Sequence, residues 1–358
     1  MRVRNFCAGP AAIPEPVLEE VRSELLEWGN AGMSIMEMSH RSSIFDEVAS
    51  NAKQDFIELL NIPDEYDVLF LQGGATHQFS MVPLNFSSQE DSADYLVSGA
   101  WSKKAIVEGQ KYSKINIVAS SEADNFTHAP DSKLWNLDSN AKYFHYAPNE
   151  TIQGVAIHQP PDIDVPIVAD MSSVILSEPI DVSKFGLIYA GAQKNIGPAG
   201  LTIVIIRKEM FEKENSSNSN ILRYSQHSKN NSMLNTPPTF AWYMAGKVFK
   251  WLKSEGGLEV ICKKNHFKAN TLYQYIDESN FFSNPVAVEN RSIMNIPFIL
   301  ADNNLDTLFI EQAEQNGLLN LKGHRSLGGM RASIYNAMPI EGVHDLIEFM
   351  IDFEKTNG

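Results

Sequence analysis

The stretch "YAGAQKNIGPAG", residues 189–200, places one lysine, Lys194, between an apolar run and a glycine-proline turn. The segments on either side, "FGLI" and "LTIVIIR", are apolar enough to predict buried strands. A lysine at the end of a buried strand is usually a surface residue whose ammonium reaches solvent past its apolar stem. The rest of the sequence must therefore decide whether Lys194 has a chemical role.

Further apolar segments alternate with helical patterns along the first two thirds of the chain. "DVLFLQGGATHQF" and "ADYLVSGAWSKKAIVEG" each predict a strand, a glycine turn and a helix, while residues 15–28 and about 45–60 predict amphipathic helices. Five further segments add strands, and several of these are too apolar to have a solvated face: "KINIVAS", "KYFHYAPNE", "VPIVADMSS", "FGLIYAGAQKN" and "LTIVIIRKE". This alternation predicts an α/β fold, with a mostly parallel mixed sheet between layers of helices.

A change of domain is predicted where the helical stretch "FAWYMAGKVFKWLKSEGG" ends in two glycines. We expect residues 1–256 to form a large domain, with the extreme N-terminal segment packing on the small one. Residues 257–358 alternate helices with the strands "SIMNIPFIL" and "MRASIYNA", which predicts a smaller α+β domain.

Composition restricts the class of protein. The 358 residues include 29 Lys and Arg against 44 Asp and Glu, a net charge of −15, which argues against nonspecific binding to nucleic acid or to an anionic membrane. Cys7 and Cys262 fit neither a metal-binding spacing nor a disulfide framework, so we expect no metal and a reducing compartment. Without a signal-peptide pattern or an apolar run near the roughly 18 residues of a membrane helix, a soluble, cytoplasmic protein is expected.

Two predicted neighbouring strands end in chemically useful side chains. "PIVAD" ends in Asp170, and "LIYAGAQ" runs into Lys194, 24 residues further on. Ligands of open α/β sheets bind beyond the carboxyl ends of the strands, so the two groups can face one site. A desolvated lysine is a good nucleophile towards aldehydes, and an aspartate can keep a pyridine nitrogen protonated. Those are the protein's roles in pyridoxal phosphate (PLP) chemistry, although Asp170 alone is more often a cap or turn residue.

A phosphate site is predicted at the glycine turn of "LQGGATHQF". The amides of Ala75 and Thr76 would open a helix whose positive end faces an anion, although most such turns bind nothing. Trp101 of "SGAW" follows another strand; its ring could stack on a pyridine face, or it could be an ordinary core tryptophan.

Two clusters of cationic residues indicate an anionic substrate. "SHRSS" contains His40 and Arg41, and "GHRSLGGMRASIYNAMP" contains His324, Arg325 and Arg331. Either cluster could make surface salt bridges, but guanidinium groups beside glycines and histidines suit carboxylate or phosphate clamps. In an acidic protein, five such groups favour a substrate with two or more negative charges.

Taken together, these segments resemble the phosphoserine aminotransferase family, in the class V branch of the fold-type-I PLP-dependent transferases. The likeness spans nearly the whole chain and rests on nine motifs in order: "NFCAGPAAIPEPVL", "EMSHRSS", "LQGGATHQFSMVPLN", "SGAWSKKA", "PNETIQG", "VADMSS", "YAGAQKNIGPAG", "NTPPTFAWYMAG" and "GHRSLGGMRASIYNAMP".

The resemblance implies roles for individual residues. Lys194 would bond covalently to PLP, Asp170 would pair with the pyridine nitrogen, and Trp101 would stack on the ring. Thr151 would bond the phenolic oxygen. The phosphate would be held by Ala75, Thr76 and Gln193, together with Asn235 and Thr236 of the partner subunit in a homodimer. Thr76 departs from relatives with arginine or serine at that position, which implies a modest change in cofactor affinity.

For the substrate, the resemblance implies that Arg331 clamps the α-carboxylate. His40 and Arg41 from the partner subunit, with His324 and Arg325, would hold the distal phosphate or carboxylate. The implied reaction is transamination between L-glutamate and 3-phosphohydroxypyruvate in serine biosynthesis. Whether 4-phosphohydroxythreonine, a substrate linked to vitamin B6 (pyridoxine) synthesis, is also used stays open.

Four other classes remain to be distinguished. A cysteine desulfurase needs a cysteine on a mobile loop near the cofactor, which neither Cys7 nor Cys262 suits. An alanine–glyoxylate or serine–pyruvate transaminase is a nearer alternative, but its substrates lack the distal anion that the cationic clusters predict. A non-catalytic PLP-binding or nucleotide-binding protein, or an acidic scaffold, leaves Asp170 and Lys194 unexplained.

Overall fold

The computed structural model describes residues 2–325 and 328–358. Its strands are β1 (Arg4–Asn5), β2 (Tyr66–Leu71), β3 (Ser92–Val97), β4 (Lys114–Ser120), β5 (Phe144–Tyr146), β6 (Asn149–Glu150), β7 (Val155–Ala156), β8 (Ile167–Asp170), β9 (Leu187–Gly191), β10 (Thr202–Arg207), β11 (Phe282–Ser283), β12 (Asn295–Leu300), β13 (Leu318–Leu319) and β14 (Met330–Ser333). Its α-helices are α1 (Glu15–Glu24), α2 (Ser43–Leu60), α3 (Gly74–Phe86), α4 (Ala100–Gly109), α5 (Tyr224–Lys229), α6 (Thr239–Ser254), α7 (Gly257–Glu278), α8 (Asp306–Gln315) and α9 (Ile340–Asn357).

A large mixed sheet forms the centre of the molecule, with strand order β2-β10-β9-β8-β5-β3-β4 among the described residues. Strand β10 runs antiparallel to both of its neighbours, and the other adjacent pairs are parallel. The prediction of a mostly parallel α/β sheet is therefore confirmed. Strands β8 and β9 are adjacent, with Asp170 opposite Tyr189, so their carboxyl ends share one edge.

Hydrophobic clusters cover both faces of the large sheet, which explains why its central strands are apolar, whereas the edge strand β4 keeps exposed side chains such as Ile117. In β2, Val68 and Phe70 face the hydrophobic cluster that contains α2 and α6, whereas Leu69 and Leu71 face the cluster that contains α3. The ring of Phe70 stacks on Trp242 of α6 with 4.4 Å between ring centroids. Alternating side chains thus enter two different cores, as expected of a sheet between two helical layers.

A second, smaller sheet has the order β11-β12-β14 and is antiparallel. Its core includes side chains of α8, α9 and the second half of α7. Phe6 belongs to this core as well, and β1 pairs in parallel with β13. The N-terminal segment therefore packs beside the small sheet. The domain division at residues 256 and 257 stays a prediction, although α7 begins at Gly257.

One predicted boundary is wrong. The helix expected over residues 15–28 ends at Glu24, and Leu25 is exposed. Trp28 instead lies in a turn, where its backbone N–H donates to the carbonyl of Met33 at 3.1 Å and its side chain packs against the main core. The Trp28 indole therefore reaches the core because the chain reverses direction after α1, and not because the helix continues for another turn. Among the described residues, no helix combines the length and the apolar character needed to cross a membrane.

Candidate active site

Asp170 is the last residue of β8, and its side chain is buried at the carboxyl edge of the large sheet. The backbone N–H and the hydroxyl of Ser172 donate to its Oδ1, at 3.0 and 2.6 Å. The same hydroxyl oxygen accepts the N–H of Gly191 at 3.0 Å, which ties Asp170 to the end of β9. Burial raises the pKa of Asp170. Because both bonds from Ser172 go to Oδ1, Oδ2 is left for another donor.

Lys194 lies in the turn that follows β9. Its ammonium donates to the hydroxyl of Thr151 at 2.7 Å and lies 5.8 Å from the centroid of the Trp101 ring. Burial lowers the pKa of Lys194 to about 8, against the opposing influence of Asp170 and Glu150. The neutral, nucleophilic amine is therefore accessible near neutral pH.

Glu150 was missed in the sequence analysis, although it positions the start of α4. Its buried carboxylate accepts the backbone N–H groups of Trp101 and Ser102 at 2.9 and 2.8 Å, and the Ser102 hydroxyl at 2.7 Å. Burial raises its pKa. A Cβ on Gly99 would lie 2.4 Å from the Glu150 side chain, so glycine is required there. The only hint in the sequence is a lone glutamate within "PNETIQG".

Two lysine ammonium groups, those of Lys104 and Lys194, lie near the Trp101 ring. The ring is half-buried, and the ammonium of Lys104 lies 4.2 Å from its centroid. The indole Nε1 is buried and has no hydrogen-bond partner among the described residues. Trp101 contributes to the edge of a core cluster but stays open enough to contact a ligand.

The predicted phosphate turn precedes α3. Gly73 and Gly74 have φ angles of 95° and 66°, in the left-handed region that glycine tolerates. The N–H of Gly74 donates to the Thr202 hydroxyl at 2.7 Å. Ala75 and Thr76 occupy the first turn of the helix, where backbone N–H groups lack intrahelical acceptors. This geometry suits an anion.

Three further predicted phosphate contacts lie close to this turn or to Lys194. Gln193 precedes Lys194, and its side chain folds against Gly191. Asn235 and Thr236 are exposed, and the Thr236 carbonyl accepts a hydrogen bond from Gln72 at 3.1 Å, one residue before the glycine turn. Their contact with the cofactor of a partner subunit stays a prediction.

Arg331 and His324 line a cavity of about 210 Å³, together with Ile152 and Gln153. Arg331 extends from β14, and its Nε is buried without a hydrogen-bond partner among the described residues. Burial lowers its pKa; a guanidinium nevertheless remains charged in proteins. Burial also lowers the pKa of His324, with Arg331 acting in the same direction. The cavity can therefore offer a fixed positive charge to an anion.

Among the described residues, the other predicted substrate residues, Arg325, His40 and Arg41, do not line this cavity. Arg325 is exposed next to His324. His40 and Arg41 precede α2; the His40 Nε2 is buried without a partner among the described residues, and the Arg41 side chain is exposed. In the part of the chain that the structure describes, no hydrogen bond or ion pair joins these two residues to Lys194 or Arg331. A role from a second subunit stays a prediction.

The residues present fit PLP. The site offers a primary amine of lowered pKa, an aspartate oxygen without a bond from Ser172, and a helix start suited to phosphate. Two further donors without a hydrogen-bond partner in the described part of the chain are the indole nitrogen of Trp101 and the Nε of Arg331.

Comparison with known proteins agrees with this reading. The family model described as aminotransferase class-V matches residues 3–346. The chain is 55% identical to the phosphoserine aminotransferase of Acinetobacter baylyi, over 100% of both chains. Its fold superposes on the solved phosphoserine aminotransferase of Bacillus circulans subsp. alkalophilus with a TM-score of 0.98, at 45% identity over 100% of this chain and 99% of that one. It matches the PLP-bound enzyme of Trichomonas vaginalis with a TM-score of 0.94, at 42% identity over 98% and 100%.

The chain therefore belongs to the class-V aminotransferase family. The resemblance inferred from the motifs is confirmed, and so are the expected α/β fold and the expected class of enzyme, a transaminase that uses pyridoxal phosphate.

Proposed function

We propose that this chain transfers the amino group of L-glutamate to 3-phosphohydroxypyruvate, giving 2-oxoglutarate and O-phospho-L-serine in serine biosynthesis. Full-length relatives and solved neighbours that carry the name of this activity support the assignment. The observation that carries it is the Lys194 amine, whose pKa is lowered by burial to about 8, at the sheet edge that also holds Asp170 and the start of α3. An alanine–glyoxylate or serine–pyruvate transaminase is not favoured.

Pyridoxal phosphate supplies an aldehyde for the amine and a ring that withdraws electrons from the substrate's α carbon. Lys194 would hold this aldehyde, and Asp170 would face the pyridine nitrogen. The other proposed cofactor contacts are Trp101 to the ring, Thr151 to the phenolic oxygen, and Ala75, Thr76 and Gln193 to the phosphate.

Lys194 also serves as the proton carrier. With a pKa of about 8, its amine could take the proton from the substrate's α carbon and release it at the same pH to the cofactor. The Thr151 hydroxyl, 2.7 Å from Nζ, holds the amine on the side of the pocket that faces Trp101. Such positioning removes the entropy cost of bringing the base to the carbon.

Arg331 is proposed to bind the α-carboxylate that both substrates share. A guanidinium grips a carboxylate through two parallel hydrogen bonds, and the unpartnered Nε supplies one of the donors. With the carboxylate fixed, the Cα–H bond of the substrate could be held perpendicular to the plane of the cofactor ring, the orientation in which it breaks most easily.

The distal phosphate or carboxylate would be bound by His324 and Arg325, with His40 and Arg41 from a second subunit. Asn235 and Thr236 would reach the partner's cofactor phosphate in the same homodimer. The unpartnered Nε2 of His40 and the exposure of Arg41, Asn235 and Thr236 support contacts outside their own chain. We further propose a cytoplasmic location and the two-domain division at residues 256 and 257.

The reaction is tested by titrating the PLP-loaded enzyme with glutamate and then with 3-phosphohydroxypyruvate. The cofactor absorbance should shift on the first addition and return on the second, whereas alanine should be a poor donor. An equal response to alanine would favour the alternative transaminase. Replacing glutamate by 4-phosphohydroxythreonine in the first addition tests whether the enzyme also uses this compound as a substrate. Near-normal turnover by Lys194→Ala would contradict the proposed mechanism.

The shared site has a separate test by mixing two inactive chains. Coexpressed Lys194→Ala and Arg41→Ala subunits form mixed dimers in which one site has an intact Lys194 and, from its partner, an intact Arg41. Activity should reappear if Arg41 acts across subunits. No recovery in verified mixed dimers would place Arg41 in the site of its own chain.

A further inference from the structure

A cluster of three possible metal ligands lies outside the proposed active site. Cys262 and His266 are one turn apart on α7, and Glu178 faces them from the segment that follows β8. One donor atom from each residue lies within 4.8 Å of the other two. All three side chains are half-buried, so they are accessible to an ion from solvent and still confined. This cluster runs against the expectation of no metal, which rested on the spacing of the two cysteines and could not include Glu178, far from α7 along the chain.

The donor set and spacing suit a tetrahedral metal ion. Residues at positions i and i+4 of a helix project from the same face, which allows both side chains to bind one ion. Zinc accepts thiolate, imidazole and carboxylate ligands at about 2.0–2.3 Å, which places tetrahedral donors about 3.3–3.8 Å apart. The His266 Nε2 and a Glu178 oxygen are already 3.8 Å apart. Small side-chain rotations would close the remaining distance to Cys262.

The backbone around the cluster is held in place by protein contacts alone. Asn265, buried in α7 beside His266, donates to the carbonyl of Ser177 at 2.9 Å and to the Asn336 side chain at 2.8 Å. Ser177 precedes Glu178, and Pro179 restricts the backbone on its other side. The ligands therefore need little additional ordering to bind an ion.

An ordinary ion pair is the alternative explanation, and the chain contains a matched example. His128 and Asp124 also approach to 3.8 Å, although Asp124 is more exposed than Glu178, and among the described residues no cysteine belongs to that pair. The Cys262 thiol therefore distinguishes the two sites. If the three residues bind metal, their site should prefer zinc-like ions over magnesium, because thiolate is a soft ligand, and the His128 pair should show no such preference.

We propose that Glu178, Cys262 and His266 form a binding site for zinc or a similar divalent transition metal, with water as the fourth ligand. The ion would clamp α7 to the segment that leads from Asp170, and so would stabilise the fold without taking part in transamination. Since a ligand that binds only the native state raises its stability, the clamp should be visible in thermal unfolding.

The test uses the PLP-loaded enzyme, first stripped of metals with a chelator and then dialysed against zinc chloride. Wild type should bind one zinc ion per chain and melt at a higher temperature than the stripped enzyme. Cys262→Ser, His266→Ala and Glu178→Gln should each weaken binding by about tenfold or more. His128→Ala and Cys7→Ser, as matched controls, should bind like wild type.

Cobalt chloride gives an independent readout of the ligands. Tetrahedral cobalt with a thiolate ligand has intense visible bands, which lie at longer wavelengths than the cofactor absorbance. These bands should appear in wild type and be lost in Cys262→Ser. No stoichiometric zinc binding, or binding that survives the combined Cys262→Ser and His266→Ala changes, would overturn the proposal. Transaminase activity plays no part in these readouts, so failure here leaves the proposed reaction untouched.

Discussion

Replacing Arg331 by lysine gives a sharp test of the substrate-binding proposal. The change keeps one positive charge in the cavity but removes the planar fork that grips a carboxylate. The cavity wall around it, which includes His324, Ile152 and Gln153, is unchanged by the substitution. If Arg331 binds the α-carboxylate, kcat/KM should fall by a similar factor for both substrates, because both carry that group in the same position.

The size of the effect follows from the donors that are lost. A hydrogen bond to a charged group contributes about 1.5–3 kcal/mol, and the Nε of Arg331, which has no partner among the described residues, would donate one such bond to the substrate. Lysine would recover part of the charge attraction but not the second parallel bond. A net loss of about 2–3 kcal/mol in transition-state binding corresponds to a fall in kcat/KM of about 30- to 150-fold.

The assay measures kcat/KM for glutamate and for 3-phosphohydroxypyruvate in separate half-reactions, by stopped-flow absorbance of the cofactor. Arg207→Lys is the control, because Arg207 is likewise half-buried but already donates to Tyr66 and Ser183. It lies at the end of β10, on the edge of the large sheet opposite Lys194. It should react like wild type. A loss below threefold for Arg331→Lys, or losses that differ by more than tenfold between the substrates, would refute the assignment.

Three further predictions concern other groups. Glu150→Gln should lower the free energy of unfolding in urea by about 2–4 kcal/mol, since the carboxylate accepts three bonds at the start of α4; an unchanged midpoint would contradict this. Lys268→Met should cost about 3 kcal/mol or more by the same measurement, because its buried ammonium donates to three backbone carbonyls after β14. PLP should bind the cofactor-free enzyme faster as pH rises through about 8, where the Lys194 ammonium loses its proton. In Asp170→Asn that midpoint should fall, because a negative charge that stabilises the ammonium is gone; an upward shift would contradict the argument.

The fold was largely predictable because parallel, doubly covered strands have an unmistakable composition. β8 and β9 are continuous apolar runs, so their ends, and with them Asp170 and the turn that holds Lys194, could be located from the sequence. Neighbouring strands of such a sheet share one edge, which the pairing of β8 with β9 bears out. The antiparallel direction of β10 was not predictable, since a buried strand reads the same in either direction.

What the sequence could not provide are contacts between distant segments. Glu150 caps a helix that begins 50 residues earlier, and no local pattern distinguishes it from a solvated glutamate. Asn336 likewise joins the end of the small sheet to the active-site turn, where its N–H donates to the Asn195 side chain at 3.0 Å. The cluster of Glu178, Cys262 and His266 is of the same kind. Each of these contacts depends on how segments distant in sequence pack together, and the hydrophobic periodicity of a single segment does not predict that packing.

The properties of Lys194 illustrate why these distant contacts matter for chemistry. At its ordinary pKa of 10.5, only about one amine in 3,000 would be neutral at pH 7; at about 8, the fraction is about one in ten. Burial and Arg331 lower the pKa, while the carboxylates of Asp170 and Glu150 oppose them. Burial alone would lower it further and leave an amine too weakly basic to carry a proton from carbon. The amine can therefore act both as nucleophile and as base, because charged groups from several separate segments set its pKa. The motif that contains Lys194 does not include those groups.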